Sequence, residues 1–445
     1  MYGEQVVKVE PGGIEPVADA DKHGRPHQLF WTWTSPNLEF ATIFVGVLAV
    51  SVFGLSFWQA AAAMALGNLL GAISHGVLSA RGPSHGVPQM VLGRIPFGYR
   101  GNILPAALMS VMAGVGWFAV NSVSGTFALN SLTGLPLVLC LIVIVGLQIL
   151  IAFFGHNLVQ AFERYVFPVL AVVFLVTLVV IFSRSSLSGS DSPGGLGGFL
   201  LTASAAFGYT AGWNPYAADY TRYLPADTPR RALGLFAGSG LFLSTTTLML
   251  VGAASVTIGG STSDNPATAF TGHLPGWLAA LALLSIALGA VAANVLNVYS
   301  GALAFLALGV HLPLQWRRAV VAACFGTVGF VLAWLGLADA GHAYESFLLV
   351  IAYWIGPWLG VVLTDMHFRR GQRIEATLFD TRYENWGGIA AMLIGMVVSI
   401  GLFSNQSLYT GPVPKALPWI GDSTFLVGFV ISAAVYYLWP KRALR

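Results

Sequence analysis

Charged residues are scarce in this chain: Asp, Glu, Lys and Arg together make up 9% of its 445 residues. A soluble domain carries about a quarter of its residues as charged ones. Hydrophobic residues instead reach 56%, and the mean hydropathy is +0.74. So few ionisable groups cannot cover a water-exposed surface. The composition therefore excludes an ordinary soluble protein and indicates an integral membrane protein.

Cysteine is rare, and several enzyme signatures are missing. Cys140 and Cys324 are the two cysteines, and both lie in apolar runs, which excludes a disulfide framework or a cysteine metal cluster. No lysine follows a glycine, so there is no phosphate-binding P-loop, and H-E-x-x-H does not occur. We expect no cofactor, no bound metal and no ATP-driven pumping, and we identify no nucleophile and base pair for an enzyme.

Long apolar runs predict an all-α membrane protein with about twelve transmembrane helices, since a helix needs about 20 apolar residues to cross the hydrocarbon core. The predicted runs are 30–54, 58–80, 101–129, 134–154, 165–183, 196–216, 232–258, 274–310, 318–338, 343–364, 386–404 and 419–439. Residues 1–28 before them are polar, lack the pattern of a signal peptide and are predicted to form a disordered tail.

The basic residues predict the orientation of these helices. An even number of crossings puts both termini on one side, and all of the 21 Lys and Arg except Arg184 and Lys415 then fall on that side. Because basic loops remain in the cytoplasm, we expect a multi-pass protein of the cell membrane with cytoplasmic N- and C-termini.

Two predicted helices contain a helix-breaking sequence. Ser35-Pro36-Asn37 lies inside the first apolar run, and Gly212-Trp213-Asn214-Pro215 lies inside the sixth. Proline removes a backbone donor, so both helices are either broken in the membrane, with backbone groups free to bind a ligand, or simply kinked. A five-plus-five inverted repeat places broken helices at these two positions.

Polar residues inside the runs are the candidates for a binding site, because their burial in hydrocarbon is unfavourable unless they are paired. Glu39 follows the first break, where an ionised acid costs about 2.5–3.5 kcal/mol. Its carboxyl group can accept hydrogen bonds from a ligand or carry a coupling proton. The alternative is a structural acid paired with an amide or a buried arginine.

Aromatic and amide side chains offer surfaces for a planar ligand. Trp117 and Asn121 are one helical turn apart on the third run, and Trp213 lies at the sixth-run break. Asn294 and Asn297 share a face of the eighth run, where two amides either bind a base edge or join helices. Asp219 and Arg222, with the same spacing, are candidates for a salt-bridged gate or a structural anchor and not for substrate contacts.

Four segments resemble the nucleobase cation symporter family, and within it the purine-cytosine permease branch. They are Gly13–Val17, Gly86–Gly98, Gly212–Tyr223 and Asn294–Ser300. The resemblance implies a leucine-transporter-type fold with two inverted five-helix repeats, at about 29–185 and 196–370, in a transport core over 29–385. Two extra helices and a short cytoplasmic tail would follow in 386–445.

The resemblance also implies a substrate site. In that family a planar base lies between a third-helix and a sixth-helix tryptophan, which match Trp117 and Trp213. Asn121 matches the amide that reads the base edge. The remaining implied substrate contacts are Ser35, Asn294 and Asn297.

Two departures from the family pattern bear on the coupling ion. Sodium-coupled relatives carry Ser, Thr or Asn side chains before the eighth-helix asparagine, whereas this chain has Leu288, Gly289, Ala292 and Ala293. These supply no side-chain oxygen for sodium, so the prediction is proton coupling. Glu39 stands where fungal relatives usually have an amide, which makes it the preferred proton-linked residue and leaves the base specificity open.

The sequence thus predicts a secondary active transporter for cytosine or purines, working by alternating access with a proton gradient. The expected partners are a nucleobase and the lipid bilayer, with no nucleic acid, and the oligomeric state is left open. The alternatives are a permease for another planar ring, such as a hydantoin, allantoin or a pyrimidine vitamin precursor, a substrate sensor or channel of the same fold, and an intramembrane enzyme.

Overall fold

The structure is a computed structural model, and it describes residues 13–154, 156–189, 193–259, 263, 265–310, 314–337, 340–406 and 408–440. The first 12 residues of the predicted tail and the last residues, 441–445, lie outside the described residues. The described chain is helical throughout, and its extended pairings are two isolated bridges, Gly98 with Glu384 and Asn405 with Thr410. The predicted all-α class is confirmed.

Each predicted apolar run corresponds to a helical segment, numbered here along the chain. The segments are 1, Gln28–Thr34 with Phe40–Ser51; 2, Phe57–Ser79; 3, Ile103–Val111 with Phe118–Thr133; 4, Leu137–Phe154; 5, His156–Arg184; 6, Gly195–Ala211 with Ala217–Thr221; 7, Arg230–Val256; 8, Gly276–Ala307; 9, Leu314–Gly336; 10, Ala340–Phe368; 11, Trp386–Phe403; and 12, Thr424–Leu438. Short helices connect them at Gly82–His85, Gln89–Leu92, Arg94–Phe97, Pro266–Thr271, Glu375–Leu378 and Pro412–Ala416.

Many of these helical segments are long enough to cross a membrane. Among the described residues, seven helices are long and apolar enough to cross a membrane, and the bent pair in segment 1 makes an eighth. Segments 4, 9 and 12 contain shorter apolar helices. The structure therefore confirms a protein with multiple apolar helices, while the count of about twelve crossings and the inverted repeat stay predictions.

Segment 1 is broken at the position where the sequence left a break and a kink open. Its two parts, Gln28–Asn37 and Phe40–Ser51, are bent by 60° directly after the 3₁₀ turn Ser35–Asn37. Pro36 removes a backbone donor at this point, and Glu39 begins the second helix as its N-cap by accepting from the backbone N–H of Ala41 at 3.1 Å. Such a break is larger than a simple proline kink. It leaves a polar loop inside an apolar segment.

Segment 6 is interrupted at its predicted position too. Its first helix ends at Ala211, and a 3₁₀ turn over Asn214–Tyr216 precedes the short helix Ala217–Thr221. Pro215 lies within the turn, where its missing N–H costs no helical hydrogen bond. The interruption places Trp213 and Tyr216 on irregular backbone.

Segment 3 contains a π-helical turn, Met112–Trp117, that the sequence analysis did not predict. A Cβ atom at Gly114 would lie 2.5 Å from the Phe325 ring, and one at Gly116 would lie 2.4 Å from the Phe347 ring. The two glycines therefore admit aromatic side chains from segments 9 and 10. The wider turn ends at Trp117, and such turns are frequent at functional sites.

The predicted disordered tail is wrong for residues 13–28. The backbone N–H of Val17 donates to the Gly86 carbonyl at 2.9 Å, and that of His23 donates to the Tyr223 carbonyl at 2.6 Å. The loops after segments 2 and 6 thus supply the hydrogen-bond partners that order this polar stretch. Composition alone does not contain those partners, because they lie far away along the chain.

Segments 2 and 6 pack with their backbones in close contact. A Cβ atom at Gly67 would lie 2.4 Å from the Ala203 carbonyl oxygen, and one at Gly71 would lie 2.8 Å from the Ala211 nitrogen. Small residues four apart permit this approach, which is a common basis of helix association in membranes. The contact holds segment 2 against the helix that leads into the segment 6 break.

Substitution Gly71→Val should destabilise the protein, because the added carbons would overlap the segment 6 backbone. Overpacking of this kind costs about 1–3 kcal/mol, so we expect a lower melting temperature in detergent and less monodisperse protein. Gly146→Val is the matched control, since nothing lies within 4 Å of a Cβ atom at Gly146. Equal stability of the two variants would contradict the proposed packing.

Candidate substrate site

A hydrogen bond joins the breaks of segments 1 and 6. The Trp213 indole N–H donates to Asn37 Oδ1 at 3.0 Å, and Asn37 Nδ2 donates to the Trp33 carbonyl at 2.6 Å. The Asn37 amide therefore satisfies a backbone carbonyl at the end of one half-helix and a side chain at the other break. All three residues are buried. The two irregular stretches are thus held as one unit.

Buried amides from segments 3 and 8 form a cluster beside these breaks. Asn121 Nδ2 and Asn297 Nδ2 both donate to Asn294 Oδ1, at 3.1 Å and 3.0 Å. The Tyr216 hydroxyl, from the segment 6 turn, donates to Asn297 Oδ1 at 2.7 Å. The structure therefore brings together three of the predicted site residues and links them to segment 6.

Aromatic rings border this cluster. The Trp117 ring lies edge-on to the Tyr209 ring, with centroids 5.2 Å apart, and its Nε1 is 3.5 Å from the position of a Cβ atom at Gly212. The Trp213 ring lies 4.9 Å from the Tyr216 ring. Trp117 therefore abuts the segment 6 break that carries Trp213. Stacking of a base between the two indoles stays a prediction.

Glu39 is buried at the segment 1 break, where it binds a backbone N–H and a tyrosine hydroxyl instead of a side-chain amide or an arginine. Its Oε2 accepts from the Ala41 N–H at 3.1 Å, and its Oε1 accepts from the Tyr209 hydroxyl at 3.2 Å. Tyr209 also contacts the Thr42 hydroxyl at 2.5 Å. Segment 8 approaches closely, since a Cβ atom at Gly289 would lie 2.9 Å from Glu39 Cβ.

Two buried oxygen atoms of the predicted site have no hydrogen-bond partner among the described residues. They are Ser35 Oγ, at the segment 1 break, and Asn121 Oδ1. A buried polar atom left unpaired costs about 1–3 kcal/mol. Both atoms are therefore free to bind a ligand, which would recover this free energy.

Asp219 and Arg222 are buried beyond the segment 6 turn. Asp219 Oδ1 accepts from the Gln89 backbone N–H at 2.9 Å. Arg222 Nη1 donates to the Gly13 carbonyl at 2.8 Å, and its Nη2 donates to the Tyr299 hydroxyl at 3.2 Å. The pair thus ties the loop after segment 2, the N-terminal stretch and segment 8 together. A gating role for it stays a prediction.

Sequence reasoning missed several residues that the structure places at the site. Tyr209 and Tyr216 bind Glu39 and Asn297, and Ser122 donates to Gln148 Oε1 at 3.0 Å. Gln148 offered a usable signal, because it is the one amide in the apolar run of segment 4. The tyrosines offered none, since tyrosine is common in membrane helices.

The spacing G-x-S-x-G of serine hydrolases occurs at Gly82, Ser84 and Gly86. In those enzymes the serine sits on a strand-to-helix turn, whereas Ser84 here lies in the short helix Gly82–His85. His85 Nδ1 contacts Glu375 Oε1 at 2.8 Å. Ser84 and His85 are therefore adjacent in this motif, but they lie in a helix and not on the strand-to-helix turn of a hydrolase nucleophile.

Solved transporter structures share this fold. The closed conformation of Mhp1, a nucleobase-cation-symport-1 family transporter with bromovinylhydantoin bound, matches with a TM-score of 0.73 and 18% identity, covering 96% of this chain and 94% of that chain. The inward-facing conformation of Mhp1 also gives 0.73, at 19% identity, covering 97% and 93%. The protein therefore has the leucine-transporter-type fold of an integral membrane transporter.

Sequence comparison identifies the family. The family described as permeases for cytosine/purines, uracil, thiamine and allantoin matches residues 16–428. The putative purine-cytosine permease YxlA of Bacillus subtilis is 29% identical over 99% of this chain and 97% of its own. The purine-cytosine permease fcyB of Emericella nidulans is 28% identical, covering 97% and 88%. The chain belongs to this permease family, as the sequence resemblance predicted, and it is a transporter rather than an enzyme.

Removal of the bond between the two breaks should lower stability. Asn37→Leu leaves the Trp213 N–H and the Trp33 carbonyl unpaired, at a cost of about 1–3 kcal/mol. Trp213→Phe keeps a ring and removes the donor alone. We expect both variants to melt at lower temperature in detergent. The double variant should lose less stability than the sum of the two single losses. Additive losses would show that the residues are not coupled.

Proposed function

We propose that this protein takes up a nucleobase, cytosine or a purine such as adenine, guanine or hypoxanthine, by proton symport with alternating access. The observation that carries the proposal is the buried amide cluster of Asn121, Asn294 and Asn297 beside Trp117 and Trp213. The purine-cytosine permeases among its relatives support the same substrate class. With Ser35, these residues form the proposed binding site.

The geometry suits a small planar heterocycle. Amides offer both donors and acceptors to a base edge, while indole faces stack on its ring. The unpaired oxygens of Ser35, in segment 1, and Asn121, in segment 3, add two buried acceptors. Since the surrounding site residues are buried, a base would be enclosed and its hydrogen bonds protected from water.

Glu39 is the proposed carrier of the coupling proton. A buried carboxyl group in a transporter commonly binds and releases protons. Glu39 is connected to the substrate region through the Tyr209 hydroxyl, whose ring contacts Trp117. Protonation of Glu39 would therefore alter contacts at the aromatic wall of the site. This connection supports a direct coupling between proton binding and base binding.

Sodium coupling receives less support from the same region. A Cβ atom at Gly289 would lie 2.4 Å from the Leu38 carbonyl oxygen, so segment 8 meets the segment 1 break with a residue that has no side-chain oxygen. Sodium would need several oxygen ligands there.

The proposed topology follows the basic loops and places both termini in the cytoplasm.

A second candidate is transport of a different planar ring. The family description includes uracil, thiamine and allantoin, and Mhp1 was solved with a hydantoin bound. Glu39, an acid where an amide is usual in fungal relatives, favours a ligand with additional N–H donors. Competition between such rings and cytosine for uptake distinguishes the two candidates.

Glu39→Gln should abolish concentrative uptake. In proteoliposomes with an inward proton gradient, we expect the wild type to accumulate radiolabelled cytosine or adenine, without sodium, until a protonophore is added. A gradient of one pH unit supports about tenfold accumulation, because a tenfold ratio corresponds to about 1.4 kcal/mol. The variant should equilibrate substrate without accumulating it.

Asp227→Asn is the control for this experiment, because Asp227 is an exposed acid in the loop before segment 7. It should accumulate substrate as the wild type does. Sodium-dependent accumulation would contradict proton coupling and leave the transporter class intact. Binding of a base without any accumulation would indicate a substrate sensor.

Trp117→Ala should weaken substrate affinity more than Trp117→Phe does. Stacking of a base on an aromatic side chain contributes about 1–3 kcal/mol, so the alanine variant should raise KM by about tenfold or more. Trp277→Ala is the control, because Trp277 is exposed at the start of segment 8. An unchanged KM in Trp117→Ala would remove Trp117 from the proposed site.

A further inference from the structure

Asn294 uses all of its hydrogen-bonding capacity within the protein. A side-chain amide has two N–H donors and an oxygen with two lone pairs. Asn294 Nδ2 donates to the Phe118 carbonyl at 2.8 Å and to Ser122 Oγ at 3.3 Å. Its Oδ1 accepts from Asn121 at 3.1 Å and from Asn297 at 3.0 Å. In this arrangement Asn294 has no donor or acceptor left for a ligand.

The orientation of the Asn294 amide is determined by its surroundings. The Phe118 carbonyl can only accept, and the Ser122 hydroxyl donates towards the same carbonyl at 2.6 Å or towards Gln148 at 3.0 Å. Ser122 therefore presents a lone pair to Asn294. Rotation of the Asn294 amide by half a turn would place its Oδ1 against the Phe118 carbonyl. It would also place its N–H groups against those of Asn121 and Asn297, which is costly in a buried site.

Gln148 extends this network into segment 4. Its Nε2 donates to the Ala290 carbonyl at 3.3 Å, so its Oε1 is the atom that faces Ser122. The side chain is fully buried. Its amide thus stabilises the Ser122 orientation that Asn294 requires, from a segment that carries none of the predicted site residues.

The consequence appears at Asn121. Its Nδ2 is held by Asn294 Oδ1, which determines the orientation of the amide and makes Oδ1 the acceptor that it offers to a ligand. That oxygen is buried and has no partner in the described part of the chain. Trp117 lies one helical turn earlier on the same face. An acceptor of determined orientation is therefore set beside the proposed stacking surface.

We propose that Asn294 is a positioning residue rather than a base ligand, and that it holds Asn121 with its carbonyl oxygen towards the base. The site then selects a base that donates an N–H at this point. Ser122 and Gln148 act through Asn294. The inference rests on the proposed function, and it replaces the direct substrate contact that the family resemblance implied for Asn294.

Two pairs of bases test this selection. Cytosine and uracil differ by an amino group against a carbonyl at one ring position, and adenine and hypoxanthine differ in the same way. The exchange reverses donors and acceptors along one edge and preserves the ring shape. A site with a fixed acceptor should therefore discriminate within each pair. We expect the two members of each pair to compete for wild-type uptake at concentrations about tenfold apart, because one presents an N–H and the other an acceptor atom to Asn121 Oδ1.

Variants at Asn294 separate positioning from direct contact. Asn294→Leu lets the Asn121 amide rotate, so the preference within each pair should fall to about threefold or less. Asn294→Asp should retain it, because a neutral carboxyl group can donate to the Phe118 carbonyl and accept from Asn121. Ser122→Ala removes one acceptor of Asn294 and should give an intermediate preference.

Asn68→Leu is the matched control, since it is the same substitution at a buried asparagine of segment 2 whose amide bonds Thr210 and Thr246 outside the proposed site. It leaves the bonds from Asn294 to Phe118 and Ser122 in place, so the preference within each pair should persist even if uptake slows. The melting temperature of each variant reports its folding.

The inference is overturned if the wild type shows no preference within either pair, a result that needs no variant to fold. It is also overturned if Asn294→Leu weakens both members of a pair equally and keeps their ratio. Failure of the wild type to accumulate any of the four bases would refute the proposed function first, and the inference with it. Accumulation without discrimination refutes the inference alone.

Discussion

The hydrogen bond from the Trp213 indole to Asn37 is the interaction on which the rest of the site depends. A helix interrupted within the membrane exposes backbone groups that lipid cannot satisfy, at a cost of several kcal/mol each. Here Asn37 satisfies the Trp33 carbonyl of its own segment and the Trp213 N–H of segment 6 together. The two breaks stabilise each other, and this mutual requirement draws buried polar residues to one place.

Close contacts divide the segments around the site into two groups. Gly67 and Gly71 hold segment 2 against segment 6, and Gly46 and Gly252 bring segments 1 and 7 into backbone contact. The amide bonds around Asn294 hold segment 3 against segment 8. Polar bonds also join the two groups, Tyr216 to Asn297 and Tyr220 to the Leu296 carbonyl among them. The site therefore lies where the two groups of segments meet.

Much of the fold was predictable from the sequence, because hydrocarbon thickness imposes a length of apolar sequence on every crossing. The break at Ser35–Asn37 was predictable for a similarly local reason, since proline cannot donate within a helix. The π-helical turn at Met112–Trp117 was not, because it depends on aromatic rings that Gly114 and Gly116 admit from other segments. The ordered N-terminal stretch was missed for the same reason: its partners, such as Gly86 and Tyr223, are distant in sequence.

By itself, the sequence determined that this is an all-helical membrane protein of a permease family, and which polar residues would be buried, because burial in lipid follows from local composition. Only the tertiary structure decided how those residues pair. Glu39 received the Tyr209 hydroxyl as its side-chain partner, and Asn294 received four partners that exhaust its donors and acceptors. Hydrogen bonding depends on distance and direction between atoms far apart along the chain, and no pattern of residue types specifies either.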